Sequence, residues 1–569
     1  MPQPQARTLG NGWRQPPEYF PTQPDIGQIL TRRLRTTLRA SRTSHDFLHN
    51  TSYAVAFCGV LLGSSRSPRR VACSHAATTA PTTETMSVEF VDKEADATSL
   101  VEWLEGLGTR GLEGIHIAQS HIPQRGMAVF AARDFDIGEE LCFVPGRGIL
   151  STSTSILQVP EDAEVSDAVR EAATSLEARL AAALLREKHL EETSRFAPYV
   201  ASLPKWSQLA PLHPLHWSAD VSVDHLFAGS PNGHMLATNA LENGNKRAIA
   251  LLACGEAQDM EEALWALTVV ETRCFSFRAG QPDMELALIP LLDILNTYAE
   301  EDGDCRDLWQ ASFEPLCAAA DGGRMVVERS IRKGDEIVHL YESNSSARLW
   351  TTYGFLPDRT NPFEGAALRV QLQSSGSDEH CTQAQLDALE DAGIRLHSGN
   401  TLHFELPGDA EVGGALLPVA RLLACRDCEQ VLALGSKILA KADHEVPASL
   451  KPVNLGLQLE LEARSIVLQW LTTALEESDA AAADLSIAIR KEGDASKKVL
   501  LRMAKKLLEL ERPELEYEAS ATKTFCDEAQ QLGFRPWEAA PLENMAEADL
   551  IDAFVAERWD NEAGWMGAG

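Results

Sequence analysis

The sequence has few positively charged side chains, no long apolar run and no cysteine pattern that would define its fold. It contains 51 Lys and Arg against 83 Asp and Glu, a net charge of −32. A general nucleic-acid binder needs a basic face that displaces counterions, so this balance argues against that class. No apolar run reaches the roughly 18 residues of a membrane span. The eleven cysteines are scattered, which argues against a disulfide framework and favours a reducing compartment.

Motifs for nucleotide, hydrolase and metal sites are also missing. No glycine-rich phosphate loop follows a predicted strand, and no GxSxG nucleophile elbow occurs. Cys425 and Cys428 have CxxC spacing, but a structural zinc site needs two more ligands and no second pair lies nearby. We therefore predict no metal site. The 44% of hydrophobic residues is ample for a packed core, and the 569 residues suggest about three or four structural units.

Positive charge is concentrated in residues 1–85, which hold ten Arg, no Lys and four acids. An Arg-rich, Ser-rich and acid-poor leader is typical of an organelle transit peptide, so we expect import into a plastid or another organelle. Two alternatives remain, a disordered tail or a translation start at Met86, and either would leave the protein cytoplasmic. In each case residues 1–85 stand outside the predicted fold.

The remaining sequence predicts a helical block between two β-rich parts. Short runs of branched and apolar residues at 115–118, 127–132 and 140–144 indicate strands, and similar runs recur at 286–289, 325–328 and 336–341. Between them, residues 165–272 change to helical spacing, as in the stripe Leu176, Leu180, Ala183 and Leu184. The pattern predicts an α+β domain over residues 100–362 with a helical insertion at about 165–272.

Beyond residue 376 the spacing predicts a separate all-α domain, over residues 376–540. The apolar positions from Leu459 to Ala474 fit one face of an amphipathic helix, with Asn454 as its expected N-cap. Residues 497–512 predict a second long helix. Pro513 is expected to end it, because proline cannot supply the next helical N–H.

Three segments, taken in order, resemble one known family. They are residues 124–145, beginning Gln-Arg-Gly-Met; residues 286–297, ending Asp-Ile-Leu-Asn-Thr; and residues 334–341, Gly-Asp-Glu-Ile-Val-His-Leu-Tyr, followed by Tyr353-Gly-Phe355. They look like the SET-domain protein methyltransferases, and specifically the subfamily of the Rubisco large-subunit lysine methyltransferase. The resemblance covers roughly residues 100–540. It implies a β-rich SET fold with a pseudoknot, followed by a helical substrate-binding domain.

The resemblance also implies a set of site residues and a cofactor. S-adenosylmethionine would be the methyl donor, and no metal is implied. Cofactor-binding residues would be Arg125, Gly126, Met127, Asn296 and Thr297. Tyr341 would be catalytic, and Arg273, Asp293 and Tyr353 would shape the substrate side of the pocket.

Methyl transfer from a sulfonium needs this kind of site. The amine, the methyl carbon and the sulfur must be collinear, so positioning supplies most of the catalysis. A lysine has an ordinary pKa near 10.4, and a narrow aromatic channel favours its neutral, reactive form. We therefore expect a protein-lysine N-methyltransferase that acts on a folded, non-histone protein held by the C-terminal helices.

Three departures from the family pattern define the alternatives. The family usually has Asn-His where this chain has Asn296-Thr297, it commonly has Asn at the position of Ser346, and the plant Rubisco enzyme has a basic residue at the position of Phe277. The first two motivate a rival, a SET-derived scaffold that binds protein without catalysis. A protein-histidine methyltransferase is a further alternative within the enzyme class.

Overall fold

The computed structural model describes residues 93–531 with internal gaps. The gaps are residues 121–125, 210–211, 218–219, 279–280, 282, 298–308, 342–343, 358–360, 362, 373–378, 392–393, 395–400, 407–415, 426–430 and 432–456. The predicted leader at 1–85, Arg125, Cys428 and the expected N-cap Asn454 therefore lie outside the described residues. No helix in the described part combines the length and the apolar character of a membrane span.

The strands before residue 330 form three small antiparallel sheets. They are β1 (Ile115–Gln119), β2 (Met127–Ala131), β3 (Glu140–Val144), β4 (Leu150–Ser151), β5 (Cys274–Phe277), β6 (Glu285–Leu288), β7 (Ala311–Pro315) and β8 (Gly323–Val327). The pairs are β1 with β2, the order β3-β8-β7, and the order β4-β6-β5. Strand β6 is buried at every position, because it pairs on both sides and is covered by the helical insertion. This accounts for its continuous apolar run.

The run at 336–341 was predicted as a strand, and the structure corrects this. Its residues are extended and mostly buried, but they make only single bridges to different neighbours: Glu336 to Phe130, Val338 to Asn296, and His339 to Ala311. The partner changes almost at each residue, so no two-stranded ladder develops. The apolar pattern predicted burial and extension correctly, but it could not show that three partners share the segment.

The stretch between β4 and β5 is helical, as its spacing predicts. Helix α1 (Lys93–Gly106) precedes the sheets, and the helices of this stretch are α2 (Asp167–Ala173), α3 (Leu176–His189), α4 (Ala197–Ser202), α5 (Trp206–Leu209), α6 (Val223–Leu226), α7 (Pro231–Ala253) and α8 (Met260–Arg273). Side-chain caps start α3, whose apolar stripe was predicted, and α8. Ser175 accepts from the Ala178 amide at 3.2 Å, and Asp259 accepts from the Glu262 amide at 2.8 Å.

The C-terminal part is not all-α, contrary to the prediction. After α9 (Ser346–Tyr353), strand β9 (Ala366–Gln371) pairs with β10 (Thr401–Leu406), and α10 (Glu379–Asp391) lies between them in sequence. Leu402, Phe404 and Leu406 alternate into the core that these strands share with α11 (Leu416–Ala424). The sequence analysis missed strand β10, a run of six residues with alternating burial, because the sequence on either side of it suggested helices.

Two long helices complete the described chain, α12 (Leu457–Lys491) and α13 (Ala495–Gln531). The prediction that Pro513 ends the second helix is wrong, since Pro513 lies inside α13. An interior proline removes one backbone hydrogen bond and costs about 3 kcal/mol. Burial of Leu507, Leu508 and Leu515 on either side of the proline offsets that cost, because each buried side chain contributes roughly 2 kcal/mol.

Helix α13 also shares a core with the insertion and α9. Phe227 and Trp350 are fully buried against each other, with ring centroids 4.8 Å apart, and the same cluster includes Leu500, Leu501 and Leu507 of α13. The last helix thus packs beneath the helix that ends at Tyr353.

Candidate cofactor and substrate site

The glycine loop before β2 presents an open backbone. Gly126 has φ +71°, and a Cβ built there would meet no atom of the described residues within 4 Å. Its carbonyl accepts from the Ser120 amide and from Gln119 Nε2, each at 2.8 Å. The positive φ suits glycine, and the free space beside it allows a ligand to approach the backbone closely. Met127 follows as the first residue of β2, whereas Arg125 lies outside the described residues.

Asn296 lies opposite this loop. Its Nδ2 donates to the Met127 carbonyl at 3.2 Å and to Glu336 Oε1 at 2.9 Å. The predicted residues Gly126, Met127 and Asn296 are therefore brought together. Glu336 was not predicted as a site residue. The only signal for it was its place in the Gly-Asp-Glu turn of the third segment.

Arg273 and Asp293 meet in a buried network that also contains Tyr199. Arg273 Nη1 lies 2.8 Å from the Asp293 carbonyl and 3.5 Å from its Oδ2, and the Tyr199 hydroxyl donates to Oδ2 at 2.8 Å. Burial raises the pKa of Asp293, while Arg273 and the Tyr199 hydrogen bond oppose that rise. Burial beside Asp293 raises the pKa of Tyr199 well above its ordinary value. Tyr199 was missed because it lies 94 residues before its partner.

Backbone strain and a polar atom without a hydrogen bond mark the same turn. Leu291 has φ +80°, a conformation that costs a non-glycine residue about 1–3 kcal/mol, and it is fully buried. Asp293 Oδ1 is buried, and no hydrogen bond reaches it from the described residues. Such features concentrate at functional sites, where surrounding packing maintains a strained geometry.

Tyr341 and Tyr353 face each other, with ring centroids 4.8 Å apart. The Tyr341 hydroxyl donates to the Leu295 carbonyl at 2.7 Å, next to Asn296. Tyr353 is the last residue of α9, and Gly354 after it has φ +79° and ends the helix. The two tyrosines, twelve residues apart in sequence, therefore lie beside the segment that carries Asn296.

His339 extends the aromatic row behind Tyr341 and was missed by the sequence analysis. Its ring centroid is 4.9 Å from that of Tyr341 and 5.8 Å from that of Phe275. Burial lowers the pKa of His339 to about 4, so it is neutral at pH 7. The wall formed by Phe275, His339, Tyr341 and Tyr353 is therefore aromatic and carries no histidine charge.

Thr297 and Ser346, the departures that motivate the scaffold alternative, both make hydrogen bonds within the protein. Thr297 is buried, and its hydroxyl accepts from the Tyr341 amide at 3.3 Å. The Thr297 side chain therefore holds the backbone of Tyr341. This contact neither tests nor uses the predicted contact of Thr297 with the cofactor. Ser346 begins α9, where its amide and its hydroxyl both donate to Glu364. Among the described residues, no group of three or more His, Cys, Asp or Glu is arranged to hold a metal ion.

A comparison with solved structures identifies the architecture. The crystal structure of the SET domain of LSMT bound to lysine and AdoHcy superposes with a TM-score of 0.51 at 17% identity, covering 80% of this chain and 99% of that one. The chain has a SET-domain fold. The structure of Rubisco LSMT bound to sinefungin and monomethyllysine gives a TM-score of 0.50 at 17% identity, over 77% and 93% of the two chains.

Sequence comparison connects this SET-fold chain to a curated relative. It is 26% identical over 275 residues to the N-lysine methyltransferase setd6 of Salmo salar, which is 45% of this chain and 56% of that protein. The match spans about half the length of the relative. No family model matches the chain. Both comparisons agree with the resemblance found from the three sequence segments.

Proposed function

We propose that this protein is a protein-lysine N-methyltransferase of the SET type that uses S-adenosylmethionine. The observation that carries the proposal is the position of the Tyr341–Tyr353 ring pair beside Leu295 and Asn296, together with the hydrogen bond from Asn296 to Met127 next to the open backbone of Gly126. The fold relatives that were solved with AdoHcy or sinefungin, each together with lysine or monomethyllysine, support it. The single bridges made by residues 336–339 support the predicted pseudoknot.

The residues present suit such a cofactor. Gly126 offers backbone that a ligand can approach, and the Asn296 carboxamide offers a hydrogen-bonding oxygen beside it. S-adenosylmethionine, when bound, supplies a methyl group on a positively charged sulfur. The Tyr341 hydroxyl donates to the Leu295 carbonyl, which fixes the position of its oxygen beside Asn296.

The aromatic wall acts on the substrate amine. A lysine that enters along the wall formed by Phe275, His339, Tyr341 and Tyr353 loses water, which lowers the pKa of its ammonium and favours the neutral amine. The amine nitrogen then forms a bond to the methyl carbon as the carbon–sulfur bond breaks, and the product ammonium releases its extra proton to solvent. Holding these atoms in line is the main contribution of the protein.

The substrate is proposed to be a folded, non-histone protein that docks on the C-terminal helices. Thr297 and Ser346 motivated the scaffold alternative, but both side chains make hydrogen bonds that hold Tyr341 and α9. This favours the enzyme.

The test is transfer of isotopically labelled methyl from S-adenosylmethionine to proteins of a cell extract, with the site assigned by mass spectrometry. Tyr341→Phe is the comparison, because it removes one hydroxyl and leaves the ring pair. We expect labelled lysine with the wild type and at least about 100-fold less with the variant. Label on histidine would correct the chemistry. Absence of both labelling and S-adenosylmethionine binding would support the scaffold.

A further inference from the structure

The orientation of the Asn296 carboxamide is determined by its two hydrogen-bond acceptors. An amide side chain has two N–H donors on nitrogen and an acceptor oxygen, and turning it over exchanges the two ends. Nδ2 here donates to the Met127 carbonyl at 3.2 Å and to Glu336 Oε1 at 2.9 Å. Both partners are acceptors only, so Oδ1 is directed away from them.

Glu336 is itself held in place. Its Oε2 accepts from the Ser120 hydroxyl at 2.8 Å, and its backbone bridges to Phe130 of β2. Ser120 is buried, and its amide donates to the Gly126 carbonyl. One carboxylate therefore connects Ser120, which supports the glycine loop at the end of β1, with Asn296, which lies far along the sequence.

We propose that Glu336 is a positioning residue that keeps Asn296 Oδ1 turned toward the cofactor, at its cationic amino-acid end. The proposal rests on the proposed cofactor role of Asn296. An amide oxygen next to a carboxylate creates negative potential, which favours an ammonium over the carboxylate or the adenine of the same ligand. If the amide turned over, its NH2 group would point at that ammonium and the charge-assisted hydrogen bond would be lost.

The test compares two ligands that share the adenosine end. S-adenosylhomocysteine carries the amino-acid end, and 5′-methylthioadenosine lacks it. In the full-length chain, we expect Glu336→Ala to weaken S-adenosylhomocysteine binding by about 10-fold or more, since a hydrogen bond to a charged group is lost. Binding of 5′-methylthioadenosine should change by less than about 2-fold. Isothermal titration gives both dissociation constants.

Two further variants separate orientation from charge and from folding. Glu336→Gln can still accept from Asn296 and donate to Ser120, so it should bind S-adenosylhomocysteine almost as tightly as the wild type. Ser120→Ala removes only one support of Glu336 and should give a smaller loss with the same selectivity. Glu328→Ala removes an exposed carboxylate that accepts from Trp309 Nε1 and makes no contact with Asn296 in the described hydrogen bonds, so it is the matched control.

The outcomes distinguish this proposal from the function on which it rests. An equal loss for both ligands, or no loss for S-adenosylhomocysteine in Glu336→Ala, would overturn the positioning role and leave the methyltransferase proposal intact. A wild-type chain that binds neither ligand would overturn both.

Discussion

Two sets of buried carboxylates in this protein differ in what surrounds them. Asp293, beside the candidate site, has a guanidinium and a tyrosine hydroxyl as partners. Glu364 and Glu511, where α9 meets α13, have hydroxyl and amide donors, from Ser346 and Ser230 among others, and they lie close enough to each other to interact. The first set contains a balancing cation, whereas no cation contributes to the pKa of either glutamate in the second.

The comparison shows how a nearby cation changes the effect of burial on the pKa of a carboxyl group. At Asp293 the Arg273 charge opposes the effect of burial, so the carboxylate belongs to an ion pair that stabilises the turn before Asn296. At the helix contact, burial raises the pKa of Glu364 to about 7, and burial with the nearby Glu364 raises that of Glu511 well above its ordinary value. Nearby Glu514 adds to the rise at Glu364. The helix contact should therefore respond to mild changes of pH.

The largest effect should come from breaking the ion pair. Asp293→Ala leaves the partly buried Arg273 without its counter-ion, and loss of one partner of a buried pair costs about 3–5 kcal/mol. We expect the free energy of unfolding, measured with urea, to fall by about 4 kcal/mol. The control is Asp283→Ala, which removes the exposed partner of Arg278 and should cost less than about 1 kcal/mol. Equal losses would show that Arg273 gains nothing from its buried position.

A smaller effect should follow from pH at the helix contact. Between pH 4.5 and about 7 the folded chain keeps a proton on Glu364 that the unfolded chain releases. The stabilising contribution is therefore complete below about pH 4.5 and is lost as pH rises through about 7, with Glu511 acting in the same direction at higher pH. We expect this contribution to fall by on the order of 3 kcal/mol over this range, measured as the difference in pH dependence of the free energy of unfolding between the wild type and a variant that lacks both carboxyl groups. His213, His216 and His339, whose pKa values burial lowers, titrate in the same range with the opposite sign and are common to both proteins.

Substitution tests the origin of that pH dependence. The double variant Glu364→Gln and Glu511→Gln should lack this decrease, because neither amide titrates, while Glu271 and the histidines titrate in both proteins. Glu509→Gln, on the exposed face of α13, should follow the wild type. The same pH dependence in the double variant and the wild type would assign the effect to other groups.

The smallest effect should come from the uncharged hydrogen bond between Thr297 and Tyr341. Thr297→Val keeps the shape of the side chain and removes the acceptor of the Tyr341 amide, which should cost about 1 kcal/mol. No charge is involved, so urea unfolding at pH 6 and pH 8 should give the same loss. A loss that changes with pH would mean that the threonine is coupled to a titrating group.

Local pattern was enough to predict part of this molecule. The spacing at Leu176–Leu184 predicted α3, and the ordered segments pointed to Tyr341, Tyr353 and Asn296, which the structure places near one another. Side-chain periodicity and short motifs lie within a few residues of sequence, where such patterns are visible.

The missed features depend on contacts between distant residues. Tyr199 reaches Asp293 across 94 positions and Ser120 reaches Glu336 across 216, so no short pattern records either contact. Pro513 shows the reverse error, since a strong local signal for a helix end was overridden by packing on both sides of it.

The position of α9 bears on the smallest piece of chain that can fold with an intact pocket. The helix ends at Tyr353, and its buried Trp350 is covered by Leu500, Leu507 and other residues of α13. A chain that stopped at residue 376 would lose the part of this cluster that α13 supplies, and Trp350 and Phe227 would be more exposed to water close to Tyr353. Deletion of the last helices should thus damage the chemistry as well as any docking of a substrate, and residue 531 is a safer endpoint for a recombinant fragment than the end of the SET region.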